Sequence, residues 1–144
     1  MWHFARILPK RQTTPIPAIT ILCLIGEDTD RSLIASLCQR NQWGVSFSAN
    51  RAEAERALHD IKPQIMLFDR DIAGKDWREF VAGFAAATSG VCIMLLSKVI
   101  DDNLWNDLVS NGGYEVLRKP LREDEMTRAV RMARSYWSST VKVK

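Results

Sequence analysis

Short runs of apolar residues alternate along this chain with longer stretches in which apolar residues recur every three or four positions. The runs are too short for buried helices and rich in branched side chains, which is typical of strands buried on both faces. The predicted strands are residues 19–25, 45–48, 65–68, 91–96 and 115–118. The stretches between them have the spacing of amphipathic helices. Three of the predicted helices are residues 28–42, 101–111 and 121–137. Two more are predicted to follow Asn50 and Asp76, which would cap them.

The strict alternation of strands and helices predicts a parallel sheet, because each parallel crossover needs a covering element. We therefore expect an α/β protein with a doubly wound, flavodoxin-like sheet of five strands and helices on both faces. The predicted domain covers residues 19–138. Residues 1–18 are predicted to form a proline-containing extension with three basic and no acidic residues, and residues 139–144 a tail.

Composition and charge exclude several classes of protein. The 144 residues are 47% hydrophobic, which suffices for one core, and no apolar run reaches the roughly 18 residues of a membrane helix. The extension accounts for the net charge of +3, since the other 17 basic residues balance the 17 acidic residues. No nucleic-acid-binding surface is therefore predicted. Cys23, Cys38 and Cys92 are odd in number and lie among apolar residues, which favours buried thiols in a cytoplasmic protein over disulfides or a zinc site.

Polar residues follow four of the predicted strands, and in a doubly wound sheet ligands bind outside the carboxyl ends of the strands. The polar residues are Glu27 and Asp28, which follow Gly26 after the first strand, Asp69 and Asp71 after the third, Ser97 after the fourth, and Lys119, before Pro120, after the fifth. Clustered carboxylates favour a hard cation such as Mg²⁺. With the cation bound, a carboxylate can attack a phosphoryl group, while a lysine and a hydroxyl share the charge of the phosphoryl oxygens. A preformed nucleotide or flavin phosphate is disfavoured, because the acids would repel it.

These residues and their order resemble the receiver domain of bacterial two-component response regulators. The resemblance covers residues 19–137, and its elements fit the family in sequence and spacing. The resemblance rests on the strand and acid of residues 65–69, Gly74, Asn50, Ser97, the Asn111-Gly112 pair and the Lys119-Pro120 pair. Each motif alone is weak, whereas the whole set in this order is specific.

The resemblance implies roles around a phosphoryl group. Asp69 would be the phosphoacceptor, Ser97 the hydroxyl that closes on the phosphoryl group, and Lys119 the lysine that faces it. The Lys119–Pro120 peptide would be cis, as is usual in the family and least costly before proline.

The resemblance also implies a Mg²⁺ site formed by Glu27, Asp69 and the backbone carbonyl of Asp71. Gly26 stands where the family has a further acid, so the expected binding of Mg²⁺ is weak. An alternative register pairs Glu27 with Asp28 as the metal-binding acids, although it fits the helix periodicity less well.

Three further departures concern the switch. Lys98 replaces the small residue that follows the hydroxyl, and Ala73 replaces a proline in the loop after the phosphoacceptor. Val116 stands where many members have a tyrosine or phenylalanine whose rotation reports phosphorylation, so a conformational response would have to use other residues.

The predicted function is that of a single-domain response regulator that takes a phosphoryl group from a histidine kinase or phosphotransfer protein. It would be no enzyme beyond self-catalysed phosphoryl transfer and dephosphorylation, and it would act on a downstream protein by contact. Trp105 and Trp137 fall on the fourth and last helices. An exposed ring there would support a face for docking or a homodimer, and the alternative is that either ring packs in the core. The alternative is a degenerate receiver that binds proteins without phosphorylation, which Gly26 and Val116 favour. An enzyme of flavodoxin-like fold ranks third.

Overall fold

The computed structural model describes the backbone of residues 19–143 and the side chains of residues 19–136. The strands are β1 (Thr20–Leu24), β2 (Gly44–Phe47), β3 (Ile65–Asp69), β4 (Cys92–Ser97) and β5 (Glu115–Arg118). The main helices are α1 (Asp28–Asn41), α2 (Arg51–Ile61), α3 (Trp77–Ala87), α4 (Leu104–Ser110) and α5 (Glu123–Val143). All strands pair in parallel in the order β2-β1-β3-β4-β5, which confirms the predicted doubly wound sheet.

Alternate residues of each central strand belong to two separate layers of the core. In β1, Ile21 and Cys23 pack with α1 and α5, whereas Leu22 and Leu24 pack with α2, α3 and α4. Because both faces of the sheet are covered, its strands are apolar at successive positions. The winding reverses between β1 and β3, so their carboxyl ends border the crevice where this kind of sheet places its ligands.

Helix boundaries follow the predicted caps in part. Asn50 caps α2, and its side chain accepts a hydrogen bond from the Glu53 amide at 3.0 Å. Asp76 occupies the corresponding position of α3, but its side chain makes no capping hydrogen bond. The predicted loop after β3 is instead a helical turn, Arg70–Ala73, which continues through the 3₁₀ turn Gly74–Asp76 into α3.

Two other helices differ in length from the prediction. Helix α4 begins three residues later than expected, and α5 continues to Val143, through most of the predicted tail. The turn after α4 needs Gly112, which has a φ of 101°. A Cβ atom at Gly112 would also lie 2.6 Å from the Cβ of Ala85. The predicted extension, residues 1–18, lies outside the described residues, and the proposed domain limits stay predictions.

The three cysteines are buried free thiols, as their apolar surroundings predict. Burial raises the pKa of Cys38 to about 11 and that of Cys92 to about 11, so neither forms a thiolate readily near neutral pH. Among the helices of the described residues, none combines the length and apolarity that crossing a membrane requires.

Candidate functional site

The predicted site residues converge because parallel strands place their carboxyl ends at one edge. Asp69 is the last residue of β3, and Ser97 is the last residue of β4. Lys119 follows β5, and its backbone N–H donates to the Ser97 carbonyl at 2.9 Å. Glu27 lies in the short connection from β1 into α1. The Lys119–Pro120 peptide is cis, as the resemblance implies.

The Lys119 side chain, only 3% exposed, lies among three carboxylates. Its Nζ donates hydrogen bonds to Asp69 Oδ2 at 2.7 Å and to Glu27 Oε1. The Asp30 Oδ2 atom lies 3.0 Å from the same nitrogen. The Asp69 carboxylate is also 3% exposed and Asp30 is 13% exposed, whereas Glu27 is half-exposed at the rim. A buried ammonium surrounded in this way compensates charges that would be costly alone.

The charges of the cluster shift the pKa of two of its members in opposite directions. Burial by itself lowers the pKa of Lys119, but its contacts with the three carboxylates, Asp69 first, raise it above the ordinary lysine value. The hydrogen bond and the charge of Lys119 hold the pKa of Glu27 below its ordinary value. Both groups are therefore charged at neutral pH.

Both oxygens of the Asp69 carboxylate are engaged. Oδ1 accepts a hydrogen bond from the Asp71 backbone N–H at 3.0 Å, which makes Asp69 the cap of the helical turn that follows. Oδ2 accepts from Lys119. The carboxylate is thus held in one orientation by two donors from different parts of the chain, as a positioned nucleophile requires.

Carboxylate oxygens of Glu27, Asp30 and Asp69 lie within 4.8 Å of one another. Asp30 is absent from the set expected from the sequence, which named Asp28. Asp28 is exposed in the first turn of α1 and does not belong to the cluster. The structure therefore adds Asp30 to the candidate acids and places Asp28 apart from them, and which acids would bind a metal stays a prediction. Asp30 is the third residue of α1, and a side chain at that position can reach back toward the N-cap residue, here Glu27, so capping-box spacing was the one sequence signal for it.

The remaining predicted site residues do not belong to the carboxylate cluster around Lys119. The Asp71 carboxylate is exposed and outside the cluster, and the role of its carbonyl stays a prediction. Ser97 is buried, but its hydroxyl donates to the Val99 carbonyl at 2.6 Å. Val116 is half-buried against the helix layer that contains α4. No aromatic ring takes its position in β5.

A cleft of about 600 Å³ opens beside the cluster, and Asp30, Lys98 and Lys119 are among its lining residues. The positive charge of Lys98 also contributes to the lowered pKa of Glu27. Gly26 lies at the same edge and leaves room, since a Cβ atom there would meet only Ile72 Cγ1, at 4.0 Å. A larger groove of about 990 Å³ between α1 and α5 contains none of the clustered acids.

Comparisons with known proteins agree on the fold. No protein-family model matches the sequence, and no curated protein matches it. Among solved structures, a response regulator from Thermotoga maritima is 18% identical, with a TM-score of 0.75, and the alignment covers 81% of this chain and 98% of that one. The signal receiver domain of a Luxo repressor protein from Vibrio parahaemolyticus is 13% identical, with a TM-score of 0.78 and coverages of 88% and 97%.

A third similar structure is the receiver domain of a sensor histidine kinase from Pseudomonas aeruginosa PAO1. It is 18% identical, has a TM-score of 0.70 with coverages of 81% and 98%, and holds a magnesium ion coordinated in its active-site cleft. At these identities the likeness establishes architecture. It confirms at the level of fold the resemblance seen in the sequence. The chain therefore has the receiver fold of two-component response regulators.

Proposed function

We propose that this chain is a receiver that accepts a phosphoryl group on Asp69 and signals through contact with other proteins. The observation that carries the proposal is the buried Asp69 carboxylate at the end of β3, held at 2.7 Å by the Lys119 ammonium. A structural ion pair would need one acid, whereas Lys119 contacts three. The surplus of negative charge at a solvent-connected cleft favours a site that takes up a cation and a phosphoryl group.

In the proposed reaction, one Asp69 carboxylate oxygen attacks the phosphorus of a phosphohistidine in a kinase or phosphotransfer protein. The new oxygen–phosphorus bond forms as the phosphorus–nitrogen bond breaks, and the imidazole leaves with the electron pair. Lys119 then faces the phosphoryl oxygens and offsets part of their charge. The product is an acyl phosphate on this chain, so the protein serves as a signalling module and not as an enzyme with a released product.

The clustered residues also fit a bound Mg²⁺ ion. Glu27, Asp30 and Asp69 supply carboxylate oxygens, the ligand type that this cation prefers. Within the described residues, the buried Asp30 Oδ2 has no aligned hydrogen-bond partner, although Lys119 Nζ lies 3.0 Å away. When bound, Mg²⁺ would supply positive charge beside the attacked phosphorus. The missing acid at Gly26 supports weak binding.

Mg²⁺ affinity should distinguish the two acids of the first turn of α1. Asp30→Asn is expected to weaken binding about tenfold, because it removes a charged oxygen ligand. The matched control Asp28→Asn changes an exposed acid two residues earlier and should alter affinity by less than about twofold. Calorimetric titration with MgCl₂ measures both. A loss in Asp28→Asn with unchanged affinity in Asp30→Asn would contradict the assignment of Asp30 and return Asp28 to the site.

The proposed function is tested by incubating the protein with acetyl phosphate and Mg²⁺ and measuring the intact mass. One phosphoryl group should be gained, the gain should disappear with EDTA, and peptide mapping should place it on Asp69. A protein that gains no mass at saturating Mg²⁺ would instead fit the degenerate interaction module. The half-exposed Trp105 on α4 offers such a module a docking surface. The side chain of Trp137 lies outside the described residues, and a homodimer through the α4 and α5 face stays a prediction.

A further inference from the structure

An arginine follows the proposed phosphoacceptor directly and contacts the segment beyond β4. The Arg70 Nη1 atom donates to the Ser97 hydroxyl and to the Val99 carbonyl, each at 3.3 Å. Its guanidinium also stacks over the Trp77 ring at 5.5 Å. Arg70 thus connects the end of β3 to the loop of residues 98–103, called here the β4–α4 loop.

The Ser97 hydroxyl has no free hydrogen in this arrangement. It donates its hydrogen to the Val99 carbonyl at 2.6 Å and accepts from Arg70 and from the Val99 amide. A hydroxyl has one hydrogen to donate. Ser97 can therefore donate to a phosphoryl oxygen only after it releases the Val99 carbonyl.

The bonds of Arg70 are suited to exchange. Both distances of 3.3 Å lie beyond the usual range for strong N–H···O bonds, and both acceptors are neutral. A phosphoryl group on Asp69 is a dianionic acceptor, and a guanidinium can bind two of its oxygens at once. Asp69 pairs with Leu96 across β3 and β4, so Ser97 and the Arg70 side chain bound to its hydroxyl lie beside the strand end that would carry the phosphoryl group.

We propose that Arg70 is a second cationic side chain, beside Lys119, that binds the phosphoryl group, and that its transfer from Val99 and Ser97 to the phosphoryl oxygens releases the β4–α4 loop. This inference rests on the proposed function of Asp69. It supplies a route for the switch that does not need an aromatic ring at Val116. The released loop carries Val99 and Ile100, which are 64% and 39% exposed, and leads directly into α4.

The matched control is Arg78, which stacks on the same Trp77 ring at 4.7 Å but pairs with Asp107 on α4. Arg78→Ala removes one cation from the indole without touching Ser97 or Val99. Arg70→Lys keeps the positive charge and loses the planar pair of donors, and it also covers the case in which Arg70→Ala folds poorly.

The experiment uses beryllofluoride with Mg²⁺ as a stand-in for the phosphoryl group, followed by ¹⁵N NMR of the Val99 amide and the Trp77 indole N–H. Binding should shift both signals in the parent. Arg70→Ala should bind the probe about tenfold more weakly, Arg70→Lys about threefold, and Arg78→Ala within about twofold of the parent. The Val99 amide of free Arg70→Ala should already be displaced toward its probe-bound position.

Two outcomes would overturn the inference, and they are distinguishable. If the parent and Arg70→Ala bind the probe equally and show the same Val99 shift, Arg70 is a structural residue and the function of Asp69 stands. If the parent neither binds beryllofluoride nor gains phosphoryl mass, the proposed function fails and the role of Arg70 fails with it.

Discussion

Asp69→Asn is expected to abolish phosphorylation by acetyl phosphate while the fold persists. The amide keeps the shape of the side chain, but its single oxygen replaces only one of the two carboxylate acceptors, so it can accept from Lys119 and then loses the bond from the Asp71 amide. It also has no carboxylate oxygen to attack phosphorus. The cluster of three carboxylates and one ammonium loses one negative charge. Stability should therefore change by no more than about 1 kcal/mol. Intact mass and urea denaturation measure the two effects.

The control for this variant is Asp71→Asn, which changes an exposed carboxylate two residues away and keeps the backbone carbonyl. Asp71→Asn should be labelled at a rate within about threefold of the parent. Continued labelling of Asp69→Asn would show that another side chain is the nucleophile. Loss of labelling in both variants would show that the turn after β3, and not the Asp69 carboxylate alone, limits the reaction.

Lys119→Met should destabilise the protein by about 3–5 kcal/mol, because it leaves buried carboxylates without their ammonium partner. Methionine has nearly the length of lysine and no charge, so the loss reports the electrostatic contribution. Urea denaturation in EDTA measures it. The exposed neighbour Lys98→Met is the control and should change stability by less than about 0.5 kcal/mol.

The physical cause of this loss can be separated from simple packing damage. Mg²⁺ should stabilise Lys119→Met more than it stabilises the parent. In the variant the carboxylates are free to bind the cation, whereas in the parent they are already paired with the Lys119 ammonium. Adding Asp69→Asn to Lys119→Met should recover part of the lost stability. If neither Mg²⁺ nor the second substitution has an effect, the acids do not repel one another in the absence of the lysine.

The raised pKa of Lys119 fixes the sign of its pH dependence. Its stabilising contribution is fully present below the ordinary lysine pKa and is lost as the pH rises through its higher value in the folded state. The stability difference between the parent and Lys119→Met should therefore stay constant through neutral pH and narrow only in strongly alkaline solution.

The sequence pattern predicted most of the fold, because a strand that is buried on both faces is apolar at successive positions. Runs such as residues 65–68 and 91–96 are continuously apolar, and these strands are fully buried between two helix layers. The predicted boundaries of helices and strands are wrong where the local sequence and the tertiary packing favour different structures. The turn after β3 reads as a loop because of Gly74, yet Asp69 caps a helical turn there.

Part of the candidate site was likewise predictable. Asp69, Ser97 and Lys119 directly follow the predicted strands 65–68, 91–96 and 115–118, and parallel pairing brings strand ends together whatever the side chains are. Asp30 was missed because it lies inside a helix and not directly after a strand. Its place in the cluster depends on the rotation of α1 about its axis, which packing of Ile34 and Leu37 against the sheet sets.

The sequence by itself therefore determined the order of elements, the edge of the sheet that carries the chemistry, and the acid, hydroxyl and lysine that end its strands. These follow from residue type and chain order. Only the tertiary structure decided which carboxylates surround Lys119 and that Arg70 donates a hydrogen bond to the Ser97 hydroxyl. The second contact joins residues 27 positions apart through long side chains. Its formation depends on the rotamers and backbone turns that packing selects, and no local pattern encodes them.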